Sequence, residues 1–68
     1  MVEVFKTTVQ EVVDAEKIIA LLLTHLPAHK INFDLDDCDK ILRVEGESVK
    51  IELICELLQT ECFDCEVL

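Results

Sequence analysis

Glycine and proline are nearly missing from this 68-residue chain, which has one of each. A chain so poor in both, and 51% hydrophobic, is neither a flexible linker nor a disordered segment. Positive charge is also scarce: 6 Lys and Arg stand against 15 Asp and Glu, a formal net charge of −9. That balance excludes nucleic acid as a partner, because affinity there comes from cations neutralising phosphates. It equally excludes docking on anionic lipid. It leaves room for a basic protein partner or a cation, and its simplest consequence is solubility. Long apolar runs are absent too. The longest, Ile18 to Leu23, has six residues, whereas a membrane span needs about 20. The opening Met1-Val2-Glu3-Val4-Phe5-Lys6 has no basic start and no cleavage-site pattern, so no signal peptide is expected. The expected location is the cytoplasm, where the four cysteines stay reduced. A disulfide framework would need a secreted context.

Catalytic signatures are missing as well. There is no glycine-rich phosphate loop, no serine nucleophile elbow and no helical His pair of zinc type. A non-catalytic chain is expected. Sixty-eight residues make one domain. A domain of that size buries only about 60% of its unfolded surface, which leaves little core volume for a deep substrate pocket.

What the chain does have is a clear apolar pattern. Residues 2–9 are β-branched and aromatic with rough alternation, a strand signal. Asp14 is the expected N-cap of a helix whose stripe is Ala15, Ile18, Ile19, Leu22 and Leu26. Pro27 ends it. Ile31, Phe33 and Leu35 then alternate with Lys30, Asn32, Asp34 and Asp36, giving a strand with one buried face. Asp36-Asp37-Cys38-Asp39 is turn chemistry, and residues 41–45 return as a second strand. Gly46 breaks the hairpin, and Ser48 is the expected cap of a second helix. Its stripe is Ile51, Ile54, Cys55, Leu58 and Cys62. Phe63, Cys65 and Val67 alternate with Asp64 and Glu66 as a last strand.

The order βαββαβ predicts an α+β ferredoxin-like sandwich over residues 1–68. It has one four-stranded antiparallel sheet, strand order 4-1-3-2, with both helices on one face. This topology places the loop after the first strand, the hairpin turn and the loop before the last strand at one end. Glu11, Cys38 and Cys62 share that end. His25 and His29 fall at the other, as solvated loop residues that cannot join the cysteines. On the second helix, Val49, Leu53 and Leu57 fall off the core stripe, and Leu21 and Leu23 lie at the stripe edges of the first. If contiguous, such residues form a docking or weak dimer surface. The exposed edges of the second and fourth strands are further places for another chain to pair.

The whole pattern resembles the heavy-metal-associated (HMA) domain, the ferredoxin-like fold of small copper chaperones and metal-ATPase tails. The residues that carry the likeness are the Phe5-Lys6 strand running into a loop and helix, and the ending from Leu57 to Val67. That ending is similar to the family's last helix, tight turn and final strand. The family's motif is M-x-C-x-x-C in the loop after the first strand. Its thiols would fall at Thr8 and Glu11, or at Glu11 and Asp14, and neither choice supplies a cysteine. The resemblance therefore implies the fold without the family's metal loop, and a small non-catalytic interaction or regulatory module.

The alternative is a soft-metal protein, for Cu(I) or Zn(II), with a displaced site at Cys62 and Cys65 and with Cys38 as a further ligand. Cys62-Phe63-Asp64-Cys65 has the spacing of a metal or redox dithiol. Alternation, however, turns Cys65 to the core with Phe63 and Val67. Glu61, Asp64 and Glu66 surround the pair and disfavour thiolate. Cys55 is expected to be core packing. Cys38 is expected to be exposed in its acidic turn, which lacks the spacing of a calcium loop.

Overall fold

The computed structural model describes all residues 1–68. Six elements follow one another: β1 (Val2–Thr7), α1 (Val12–His25), β2 (Lys30–Asp34), β3 (Ile41–Glu45), α2 (Ile51–Thr60) and β4 (Cys65–Val67). They form one four-stranded antiparallel sheet of order β2-β3-β1-β4, the expected 4-1-3-2, with two helices. This is the ferredoxin-like α+β fold. No helix is long and apolar enough to cross a membrane.

Register decides which side chains share a face, because directly paired residues of antiparallel strands point the same way. Phe5 pairs with Leu42 and Val67, Leu42 with Phe33, and Thr7 with Cys65. Phe5, Leu42 and Val44 are fully buried and join Ala15, Ile18, Leu22 and Leu26 of the first helical segment and Ile54 and Leu58 of α2 in one cluster. Both helices therefore cover the same face. The other face is open and charge-balanced. Lys6, Lys30 and Arg43 lie there with Asp34, Glu45 and Glu66. The net charge of −9 thus belongs to the rest of the surface.

Several local expectations shift. β1 ends at Thr7, and Val9 is buried as part of the loop. α1 starts two residues before Asp14, capped by the extended backbone of Glu11, whose carbonyl accepts from Ala15 N–H at 3.0 Å. Asp14 instead sits in the first turn, where its charge suits the helix dipole. α2 is capped by Lys50 and not by Ser48. The reason is a contact from far back in the chain: the Ser48 carbonyl is held by the ring of His29 at 2.8 Å, in the bend that precedes α2.

Val49, Leu53 and Leu57 do not form a free patch. They are partly buried and pack against the core, as do Ile51 and Cys55. A ten-residue helix covering half a sheet face uses its flanks as well as its central stripe. The large apolar side chains that are exposed lie elsewhere: Val12, Val13 and Leu23 on α1, and Met1, Val2, Val67 and Leu68 at the strand ends.

Candidate functional site

Three connections meet at one end of the sheet, as the topology requires, and two threonines join them. Thr7, which is buried, donates from Oγ1 to the Lys40 carbonyl at 2.6 Å and accepts from Val9 N–H at 3.3 Å. Its own N–H donates to the Asp39 carbonyl. Thr8 N–H donates to the Asp64 carbonyl, and Asp64 N–H donates back to Thr8 Oγ1 at 2.9 Å. The hairpin turn is an Asp-built structure. Asp36 N–H donates to Asp34 Oδ1, and Asp39 N–H donates to Asp37 Oδ1 at 2.8 Å. Lys40 takes a left-handed backbone, φ 48°, and its ammonium donates to the Leu35 carbonyl at 2.9 Å.

The four cysteines are distributed unequally over this end. Cys38 is exposed between Asp37 and Asp39, and one ligand atom from each of the three lies within 4.8 Å of the others. Cys62 is exposed, with a left-handed backbone at φ 68°. It lies beyond the end of α2 and not on its core stripe. Cys62 N–H donates to the Gln59 carbonyl and Phe63 N–H to the Leu58 carbonyl, both at 3.0 Å. This pair of bonds is a Schellman C-cap, with cysteine at the position that usually holds glycine. Phe63 and Leu58 are both in or against the core, which is the apolar contact such a cap favours.

Cys65 is half-buried on the helix-covered face, and the thiol it meets is Cys55, ten residues upstream. Cys55 Sγ donates to Cys65 Sγ at 3.3 Å. No hydrogen bond joins Cys62 to Cys65; the strand carries Cys65 inward while the cap leaves Cys62 outside. Burial pushes the Cys65 thiol well above its ordinary range, and the hydrogen bond to Cys55 and the charge of that neighbour push the same way. Cys65 also lines a surface hollow of about 390 Å³ with Lys6, Thr7, Thr8, Asp64 and Glu66. The Cys55–Cys65 contact was latent in the sequence. Cys55 lies on the core stripe of α2 and Cys65 on the core side of β4, and these two elements pack together.

At the opposite end, His25 is exposed and bonded through Nδ1 to the Leu21 carbonyl. His29 is not a solvated loop residue. Its Nε2 donates to Ser48, its Nδ1 is buried without a partner, and its ring lies against Gly46. A β-carbon at Gly46 would come within 2.5 Å of the ring. The single glycine is therefore kept by a close approach and not by an unusual φ.

A second concave feature runs between α1 and the edge strand β2, with a volume of about 440 Å³. Ala15, Ile19, Phe33 and Leu35 give it an apolar floor, and Glu16, Asp34 and Asp36 give it acidic edges. The exposed Val12 stands at its mouth. β2 is paired only with β3, so its outer edge borders this groove.

No family model matches the chain, and neither a curated protein nor a solved structure matches it.

Proposed function

We propose that this chain is a non-catalytic, cytoplasmic interaction module of HMA-type fold that receives a basic, extended segment of a partner protein along the free edge of β2. The observation that carries this reading is the α1–β2 groove. It combines an unpaired strand edge with an apolar floor and carboxylates at Glu16, Asp34 and Asp36. A free strand edge offers main-chain hydrogen bonds to an extended peptide, and alternate side chains of that peptide then reach the floor. Lysines or arginines at the intervening positions meet the acidic edges. The rest of the helix-bearing surface reinforces this preference, since the net negative charge lies off the open sheet face.

The loop after β1 is Thr8-Val9-Gln10-Glu11, and it offers oxygen ligands where the HMA family has thiols. Thr8 and Thr7 are committed there to tying the loops together.

Selection of displayed random dodecapeptides on the immobilised protein tests the reading. The expected result is enrichment of peptides that alternate Lys or Arg with Val, Ile or Leu. Their binding should be lost in Glu16→Lys/Asp36→Lys, and their amide-shift footprint should lie on residues 12–19 and 30–36. Enriched peptides without basic alternation, or binding indifferent to the charge reversals, would refute it.

A further inference from the structure

We propose that Cys55 and Cys65 form an internal oxidative modification site, a dithiol that closes to a disulfide on reaction with a small-molecule disulfide and so ties α2 to β4. This inference is independent of the peptide groove.

The geometry favours this chemistry over a metal. The two sulfurs stand 3.3 Å apart in direct contact. A tetrahedral zinc ion with Zn–S bonds of about 2.3 Å holds its thiolates roughly 3.8 Å apart, and a two-coordinate ion between them needs more. Closing to a bond of about 2.05 Å is a contraction of a pair already in contact. The clusters of metal-ligating side chains point the same way. The one group of three with ligand atoms in reach of one another is at Asp37, Cys38 and Asp39, and it includes neither sulfur.

Both thiols are partly exposed, Cys55 on α2 and Cys65 on β4, so a small disulfide can reach the pair. Because burial holds the proton on Cys65, it is Cys55 that gives up its proton to solvent and attacks one sulfur of the incoming disulfide. A mixed disulfide forms on Cys55 and one small thiol leaves. Cys65, 3.3 Å away, then gives up its proton as it attacks Cys55 Sγ, and the second small thiol leaves. In sum, two protein thiols are oxidised to one disulfide while one small disulfide is reduced to two thiols, and the two protein protons end on the departing thiols. The bond would anchor β4, a three-residue edge strand held to the sheet only through β1.

The test uses the full chain as Cys38→Ser/Cys62→Gly, which removes the two exposed thiols and leaves the pair. Reduced protein is incubated with oxidised glutathione and followed by intact mass and thiol titration. Thermal unfolding is then recorded without reductant. The expected product is a monomer lighter by two hydrogens, with no free thiol and a Tm raised by several degrees. Cleavage after Glu56 and Glu61 should yield the Cys55 and Cys65 peptides still linked. In the further variant Cys65→Ser, the mixed disulfide should persist on Cys55. Two thiols that survive treatment, a glutathione adduct that never resolves with Cys65 present, or an intermolecular dimer would each overturn the proposal. Mapping of untreated-sequence protein to a Cys62–Cys65 bond under the same conditions would do so too.

Discussion

The two ends of the sheet are held by different physics. At the end that carries the hairpin turn and the start of β4, short polar side chains bond to loop backbone. Thr7, Thr8, Asp34 and Asp37 together satisfy amides and a carbonyl from three separate connections. At the other end there is almost no such network. There the loops after α1 and β3 meet through one imidazole, bonded on one side and orphaned on the other, fitted over a glycine. Directional hydrogen bonds set the first end and shape sets the second. The first end should therefore be sensitive to loss of polar atoms, and the second to added volume.

Thr7→Val should produce the largest effect. It keeps the shape of the side chain but removes the donor to Lys40 and the acceptor for Val9. Leaving both groups unmatched in a buried position should cost about 2–3 kcal/mol, read as a lower midpoint in urea unfolding. A loss below about 0.5 kcal/mol would show that the hydroxyl does not hold this end together.

Gly46→Ala is the matching assault on the other end. The added methyl displaces the His29 ring and with it the bond to Ser48, for an expected loss of about 1–2 kcal/mol. In a His29→Ala background most of that penalty should vanish, because the clash has no partner. A double-mutant cycle without coupling would refute the fit.

An alkaline effect should follow from Cys65 at the first end. Below the ordinary thiol pKa, about 8.5, folded and unfolded chains both keep this proton. Above it, the unfolded chain releases the proton while the folded chain, whose Cys65 is raised, retains it. Stability contributed by Cys65 is thus full at neutral pH and declines as pH rises. The limit is about 1.4 kcal/mol per pH unit for one proton, and partial solvent access cuts it to roughly half. Chemical denaturation from pH 7 to 10 under reductant should show this slope in the parent chain and lack it in Cys65→Ser.

The smallest effect should be a gain. Cys62→Gly relieves a left-handed backbone at the C-cap of α2 and should stabilise by about 0.5–1 kcal/mol. Cys62→Val, which cannot take that conformation without strain, should destabilise by a similar amount or more. Equal effects from the two substitutions would mean that the cap does not set the energetics of this position.

Periodicity made much of this fold legible. The alternation of Ile31, Phe33 and Leu35, and the helical spacing of Ala15, Ile18 and Leu22, are signals carried by neighbours within one turn or one strand. Together with the handedness of crossovers they lead to the observed strand order. The caps were less legible. Asp14 and Ser48 have good capping chemistry, yet the helices start at Val12 and Ile51 because contacts distant in sequence, such as His29 with Ser48, decide where the chain can turn. The cysteines show the same division. Spacing drew attention to Cys62 and Cys65, three residues apart, but the thiol that meets Cys65 is Cys55.

The sequence by itself determined that this chain folds as one antiparallel sheet under two helices, because apolar period and chain order are local and cumulative. It also determined the negative surface charge. Only the tertiary structure decided which cysteines meet, why the one glycine is needed, and that a groove opens between α1 and β2. Each of these depends on distances of a few ångströms between residues far apart in the chain. Those distances are set by how helices seat on the sheet, and no single segment encodes them.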